Sequence, residues 1–384
     1  MTRRDFLVKM AALYGMTVLP TLAETAKNDK SLVVIFLRGG VDGLHAVVPT
    51  FEDIYYETRP TIALKKTLPL INGFGANPAM APLMESWQDG DLGFVHACGL
   101  KEANRSHFEA QHIIERGMAS AKNEVTDGWM NRLVSVLPYR STPSAALTLT
   151  PTIPEIFEGK KHVATFDFGT IHKPIALDKK PMQTLFDKLY NNDDVLSQMY
   201  KQARAAREEI LQKIKSDIAI SDPNSISTKG FAKDASMLGT LMRHDPTMQT
   251  VFLSIGGWDT HINQGAESGM LSKRLGDLAD GLAALKKSLF DRYKYTRIVV
   301  FSEFGRTLHE NGTGGTDHGH GGLFWIMGGG YKGKTIQGTW PDLVDDNLQP
   351  LRELQVTTSY NDLLSEVIGR HFDLSPQQRK IIFQ

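Results

Sequence analysis

The stretch SLVVIFLRGGVDGLHAVVP, residues 31–49, indicates the fold class. Its first part, Leu32–Leu37, is an unbroken run of apolar and β-branched residues, which is typical of a strand buried on both faces. A polar, glycine-rich turn follows directly, and α/β sheets place their ligands at such strand ends. The stretch therefore predicts one strand of a covered, mainly parallel sheet, with Asp42 in the turn where a ligand binds.

Apolar runs and helical patterns alternate along the rest of the chain, as expected of an α/β fold. Further strands are predicted at 91–99, 247–255, 295–306 and 321–330. Helices are predicted at 106–118, across about 181–245, at 269–291 and from Tyr360 onward. The first of these begins with a capping box, formed by Ser106 and Glu109. The sequence shows neither an internal repeat nor a linker, so we expect one domain over residues 31–384.

The N-terminal residues MTRRDFLVKMAALYGMTVLPTLAETA resemble a twin-arginine export signal. Arg3 and Arg4 precede a mildly apolar run that is too short and too interrupted to span a membrane. Because Ala23 ends a plausible cleavage site, we expect a signal peptide at 1–23 and export to the periplasm by the twin-arginine translocase. The alternative is an amphipathic first helix, and whether a signal is cleaved or kept as an anchor stays open.

The composition excludes several classes of protein. The 384 residues carry no net charge and show no basic stripe, so we expect no nucleic-acid partner. Cys98 is the one cysteine, which excludes a disulfide within the chain and a cysteine-based zinc site. A metal must then be held by histidine, carboxylate or hydroxyl groups.

Polar clusters follow the predicted strands, in GGVDGLH, GGWDTH, FSEFGR and GTDHGH. Asp259 and His261 are two apart on an extended stretch, so both side chains can face the same side. With His318 they make a set of two histidines and one carboxylate, which zinc, manganese and iron all accept. The sequence therefore predicts a metal site, with zinc or manganese as its cofactor.

A second, oxygen-rich set is formed by Asp42, Glu303 and Ser106. Two metals about 4 Å apart activate a nucleophile and hold a phosphoryl or sulfuryl group. Ser106 is either that nucleophile or a plain helix N-cap. Arg306 or Arg105 is expected to hold substrate oxygens, because a guanidinium fork matches such oxyanions.

The whole chain resembles the DUF1501 family. The resemblance lies in the twin-arginine start, LVVIFLRGGVDGLHAVVP, NRSHFEAQ, TDGWMNR, SIGGWDTH, VVFSEFGRT and TDHGHGG. It implies the alkaline-phosphatase-like superfamily, which includes sulfatases. That superfamily implies a three-layer sandwich with a mainly parallel central sheet and a two-metal site at its strand ends.

The resemblance supplies a matching set of ligands for only one of the two metal sites. It matches Asp259, His261 and His318 to one metal site. At the other site the superfamily has an Asp-His pair, where this chain has Glu303 and Phe304, and a phenyl ring cannot bind a metal. His320 or His107 is then a candidate for the missing imidazole.

These observations predict an exported, metal-dependent hydrolase of a phosphate or sulfate ester, acting on a small anionic ester or a carbohydrate. The alternative, which Phe304 favours, is a non-catalytic metal- or ligand-binding envelope protein on the same fold. A single-metal hydrolase and a redox role for bound iron are the other possibilities. The sequence does not indicate the substrate, the number of metals or the oligomeric state.

Overall fold

The computed structural model describes residues 30–120, 125–138, 144–150, 152–165, most of 180–205, 230–343 and 352–383. The expected signal peptide at 1–23 and the middle of the helical region at 181–245 lie outside these residues. None of the described helices is long and apolar enough to cross a bilayer.

Strands occur throughout the described part of the chain. They are β1 (Ser31–Leu37), β2 (Val47–Pro49), β3 (Leu68–Pro69), β4 (Phe74–Ala76), β5 (Leu92–Gly99), β6 (Ala146–Thr148), β7 (Ala164–Thr165), β8 (Thr250–Ile255), β9 (Thr296–Ser302), β10 (Gly322–Met327), β11 (Ile336–Gln337) and β12 (Thr358–Ser359). The main sheet has the order β11-β5-β10-β9-β1-β8-β6-β7, and β12 also pairs with β5. Its pairings are parallel except that β10 runs antiparallel to both β5 and β9. A small antiparallel sheet contains β2, β4 and β3.

Helices connect most of these strands. They are α1 (Gly43–Ala46), α2 (Asp53–Glu57), α3 (Met84–Asp89), α4 (His107–Arg116), α5 (Trp129–Val136), α6 (Lys180–Leu189), α7 (Phe231–His244), α8 (Met270–Leu289), α9 (Tyr360–Phe372) and α10 (Pro376–Ile382). Short 3-10 helices lie at Pro78–Leu83, Glu155–Phe157 and Phe290–Tyr295.

Both faces of the main sheet are covered. Val33 and Ile35 of β1 pack in one core cluster with residues of α7 and α8. Leu32 and Val34, which point to the opposite face, pack with residues of α4, α5 and α9. Each fully buried side chain of this size contributes about 1.5–3 kcal/mol. The chain is therefore a mixed α/β fold with a largely parallel central sheet, consistent with a three-layer sandwich, as predicted.

Most predicted elements occur within a few residues of their expected limits, but two local expectations need revision. The capping box at α4 is incomplete: the Ser106 hydroxyl accepts the Glu109 N–H at 3.5 Å, while the Ser106 N–H donates to Asn104 Oδ1 at 2.9 Å. The small sheet of β2, β3 and β4 was not predicted, since strands of two or three residues carry no readable alternation.

Candidate metal centre

The candidate metal centre lies beyond the carboxyl ends of β8 and β9. Asp259 and His261 follow β8, Glu303 follows β9, and His107 is the first residue of α4 after β5. His318 precedes β10, and its backbone forms an antiparallel bridge with Arg306. Because β8, β1 and β9 are parallel neighbours, their carboxyl ends meet at one edge of the sheet.

The Asp259 carboxylate is surrounded by three imidazoles. His261 Nε2 lies 2.9 Å and His318 Nε2 lies 3.1 Å from its Oδ1, and these two nitrogens are 3.0 Å apart. His107 Nε2 lies 3.4 Å from Oδ2. The ligand atoms of His107, Asp259 and His318 all lie within 4.8 Å of one another.

Each of the three imidazoles is oriented through its other ring nitrogen. His107 Nδ1 lies 2.7 Å from Glu303 Oε1. His261 Nδ1 lies 3.0 Å from Asp317 Oδ1. His318 Nδ1 lies 2.9 Å from the Arg105 carbonyl oxygen. A carboxylate or carbonyl oxygen only accepts hydrogen bonds, so a proton on Nδ1 satisfies each of these contacts, while the Asp259 oxygens face the three Nε2 atoms in the same way. In the neutral ring, Nε2 then carries the lone pair.

With the proton on Nδ1, the three Nε2 lone pairs and the carboxylate repel one another; Arg306 Nη2, 2.8 Å from Asp259 Oδ1, offsets part of this repulsion, and a proton or a metal ion between the groups would offset the rest. In a tetrahedral site with bonds near 2.05 Å, neighbouring ligand atoms are about 3.3 Å apart. The separations of 2.9, 3.0, 3.1 and 3.4 Å around Asp259 are close to that value. Histidine held through its second nitrogen is also the usual arrangement at metal sites. The side chains of His107, Asp259 and His318 therefore fit a divalent metal, and His261, with Nε2 2.9 Å from Asp259 Oδ1 and 3.0 Å from His318 Nε2, is the candidate fourth ligand.

The protonation of the ligands sets conditions on that metal. Burial lowers the pKa of His318, which keeps its Nε2 free. The hydrogen bond from His107 to Glu303 raises the pKa of His107, aided by the Asp259 charge. Burial opposes ionisation of Asp259, but the Arg306 charge, together with the neighbouring histidines, outweighs it and lowers the pKa. A metal must displace any proton on His107, so binding releases protons and weakens in acid.

Glu303 holds His107 in place rather than facing the cluster. Its Oε1 accepts hydrogen bonds from His107, from the Gly39 N–H at 2.9 Å and from Gln111 Nε2 at 2.7 Å. Its Oε2 accepts the Ser302 hydroxyl at 2.9 Å. Burial raises the pKa of Glu303, but these hydrogen bonds outweigh burial and leave the pKa below its usual range. Glu303 is therefore a buried, ionised carboxylate.

A family model described as "Protein of unknown function (DUF1501)" matches residues 69–382. The chain belongs to this family. A search of curated proteins finds no match. Two solved structures are similar at low identity: Ps i-CgsB in complex with k-i-k-neocarrahexaose, and the C-terminal periplasmic domain of EcEptC from Escherichia coli in complex with Zn.

The first of these structures has 9% identity and a TM-score of 0.36, and the match covers 92% of this chain and 74% of that one. The second has 11% identity and a TM-score of 0.31, and the match covers 80% of this chain and 75% of that one. At such TM-scores the similarity does not bear on the activity of this DUF1501 chain.

Besides Glu303, which contacts the cluster only through His107, two predicted ligands of this DUF1501 chain lie outside the cluster. Asp42 is buried in an ion pair with Arg59, 2.8 Å from its Nη1, and also accepts Gln264 Nε2 at 2.7 Å. His320 is buried, with Nε2 2.6 Å from the Leu100 carbonyl oxygen. Asp42 was expected near the metal as part of the oxygen-rich set, and His320 as the missing imidazole, but side-chain and backbone partners turn them elsewhere.

Ser106 and Phe304 both border the cluster. Ser106 is exposed and directly precedes His107, and its hydroxyl caps α4. The structure shows no contact between this hydroxyl and Asp259 or Asp42 in the part of the chain that it describes. The Phe304 ring is buried and packs against His107 and His318, with centroids 4.9 and 4.8 Å apart. His107 therefore lies at a candidate ligand position. The feature of the sequence that could have indicated this is the place of His107 at the start of a helix that follows a strand.

The two arginines have different surroundings. Arg306 is 2% exposed and donates from Nη2 to Asp259 Oδ1 at 2.8 Å. Its Nε and Nη1 are buried, and no hydrogen-bond partner occurs among the described atoms. Arg105 is exposed and forms an ion pair with Glu353. Arg306 therefore compensates the Asp259 charge from the buried side of the cluster, whereas Arg105 lies closer to solvent.

The glycine-rich loop at 311–322 packs tightly against the strand ends. A Cβ on Gly305 would lie 1.9 Å from the Gly321 carbonyl oxygen, and a Cβ on Gly319 would lie 2.5 Å from the Arg306 backbone. A Cβ on Gly315 would lie 2.3 Å from the His261 backbone. Glycine in this loop chiefly permits close backbone approach, which brings His318 to Asp259.

Proposed function

We propose that this chain is a metal-dependent hydrolase of phosphate or sulfate esters, with one divalent ion held around Asp259. The observation that carries the proposal is the convergence of three imidazole Nε2 atoms on that carboxylate. Zinc or manganese suits these nitrogen and oxygen ligands. A divalent metal held by these residues would supply Lewis-acid chemistry for an ester oxygen and for water.

The exposure of the centre supports a catalytic role. The side chains of Asp259 and His261 are 40% and 38% exposed, and that of His107 is 27% exposed. Structural zinc sites are closed, whereas catalytic sites keep a position open to water or substrate. A ligand set that reaches solvent on one side gives a small anionic ester a route to the metal.

The protein side chains have separate roles in this proposal. Glu303 and Asp317 hold His107 and His261 in the tautomer that exposes Nε2. Arg306 neutralises part of the Asp259 charge. Ser106 remains a candidate nucleophile because it adjoins His107, but its role as the helix cap favours water as the nucleophile.

Export is part of the same proposal. Arg3 and Arg4 support transport by the twin-arginine translocase, which would place the enzyme in the periplasm. Replacing both arginines by lysine is expected to leave the protein in the cytoplasmic fraction. Equal recovery of the wild-type and variant proteins from the periplasmic fraction would rule out this route.

The activity is tested with 4-nitrophenyl phosphate and 4-nitrophenyl sulfate in the presence of zinc or manganese. We expect hydrolysis of at least one ester, and a loss of kcat/KM of more than about 100-fold for Asp259→Asn. His309→Ala is the matched control, because His309 is exposed and lies apart from the cluster. A Ser106→Ala variant with full activity would assign the attack to water.

A non-catalytic metal- or ligand-binding envelope protein is the second candidate. The observations that favour it are Phe304, which occupies a superfamily ligand position, and Ser106, which is engaged as a cap. A wild-type protein that binds metal through His318 but hydrolyses neither ester, across metals and pH, would favour this candidate.

A further inference from the structure

A cavity of about 560 Å³ lies at the opposite end of the main sheet from the metal centre. Residues at the starts of β1 and β9 line it, together with one side of α9 and the turn after β10. Strand β9 has seven residues between the two sites, which at 3.3 Å per residue separates them by roughly 20 Å. The cavity is therefore a separate site.

The lining of this cavity is strongly cationic. It includes one acidic residue, Glu366, and the cations Lys30, Lys294, Arg297, Lys332 and Arg370. Lys30 pairs with Asp373 at 2.5 Å and Arg370 with Glu366 at 2.6 Å. Within the part of the chain that the structure describes, the other three cations have no carboxylate partner.

Arg297 is the buried member of this group. It is 8% exposed, and its guanidinium lies 4.8 Å from the centroid of the Tyr331 ring. Its Nη1 is buried without a hydrogen-bond partner among the described residues. A buried charged donor without an acceptor is costly, and turning this guanidinium toward the adjoining cavity would give it an acceptor on a bound ligand. Burial, with the Arg297 charge adding to it, lowers the pKa of the adjoining His371 to about 3.

We propose that this cavity binds a small aromatic or sugar-like anion through a phosphate, sulfate or sulfonate group. The guanidinium of Arg297 offers planar paired donors to such an oxyanion, and Lys294 and Lys332 add charge at the opening. Tyr295 and Tyr331 provide apolar surface for the rest of the molecule. The volume lies within the range of small-molecule sites. The site stands apart from the proposed hydrolase activity.

The test is isothermal titration calorimetry with naphthalene-1,5-disulfonate, an aromatic dianion that is not an ester. We expect saturable binding that weakens at least about tenfold in the Lys294→Ala/Lys332→Ala double variant. Both lysines are exposed, so the double variant should fold. A second variant, Arg297→Gln, removes the charge of the buried donor and should weaken binding as well. Binding should persist in His318→Ala, which separates this site from the metal centre.

The matched control is Lys273→Ala/Lys287→Ala, which removes the same charge from exposed positions on α8. Binding that is absent in the wild type, or equally weak in both double variants, would overturn the proposal. Sedimentation with phosphatidylglycerol vesicles is the second arm. Vesicle binding that depends on Lys294 and Lys332, without disulfonate binding, would show a lipid surface and would also overturn it.

Discussion

Asp42 and Asp259 both follow a strand at the same edge of the sheet, yet their surroundings differ. Asp42 is 1% exposed and is bound by Arg59 and Gln264. The side chain of Asp259 is 40% exposed and is surrounded by imidazoles. Burial opposes ionisation of each, but the Arg59 charge lowers the pKa of Asp42 and the Arg306 charge lowers that of Asp259.

The difference shows that position at a strand end does not by itself make a carboxylate a metal ligand. Arg59 has already supplied the cation for Asp42, with donors fixed to the backbone of Thr307 and Leu308 as well. Asp259 also has a guanidinium partner, Arg306, but its other partners are imidazole nitrogens that can bind a metal. The first region stabilises the fold, and the second is suited to bind a metal.

The largest expected effect is the loss of stability in acid. His45, near Asp42, and His96 have pKa values lowered to about 4 by burial, and His371 has one lowered to about 3. In the unfolded chain these rings protonate near pH 6.5, so the unfolded state binds more protons between that pH and about 4. The free energy of unfolding should fall across this window, by about 3 kcal/mol or more for each ring.

Urea unfolding at pH 7.5 and pH 5, followed by circular dichroism, measures the upper part of this window, where each ring should contribute about 2 kcal/mol. Equal free energies of unfolding at the two pH values would show that these three histidines are not held neutral in the folded protein.

The next effect concerns the ion pair at Asp42. Asp42→Ala leaves the Arg59 charge buried and unpaired, so we expect a loss of about 3–5 kcal/mol in the free energy of unfolding. Asp259→Ala leaves the Arg306 charge without its carboxylate as well, but water reaches this partly exposed position, so we expect a smaller loss in metal-free protein. Denaturant unfolding of both variants checks the ranking, and a larger loss for Asp259→Ala would contradict it.

The backbone contacts of the glycine-rich loop give a smaller effect. A Cβ at Gly305 would collide with the Gly321 carbonyl, so Gly305→Ala should destabilise the protein by about 1–3 kcal/mol and weaken metal binding. Gly312 is the control, because a Cβ there meets nothing within 4 Å. If both alanine variants keep the wild-type melting temperature and metal affinity, the close approach is not required.

The smallest effect concerns the group that orients His107. Glu303→Gln keeps the size of the side chain but removes its charge, so His107 loses the partner that fixes its tautomer. We expect metal affinity to fall about 10–100-fold, as is usual when such a partner is removed. Competition with a chromophoric chelator measures the affinity, and an unchanged value would assign Glu303 a purely structural role.

The sequence predicted the sheet, its main strands and the Asp259, His261 and His318 set, because long apolar runs and short polar motifs are local signals. The sequence did not show that Asp42 lies outside the observed cluster. Its partner Arg59 is 17 residues away along the chain, and the contact between the two forms only in the folded protein. His107 was considered only as a substitute ligand. Its role depends on how α4 packs over the ends of β8 and β9, which periodicity does not specify.

We propose that His107, Asp259, His261 and His318 together bind one divalent metal ion. The most direct measurement is the metal content of folded protein, by elemental mass spectrometry after zinc and manganese are offered and excess metal is removed. We expect about one equivalent of bound metal per chain in the wild type and in His309→Ala, and loss of that metal in His318→Ala. No bound metal in the wild type, or equal metal in His318→Ala, would contradict it.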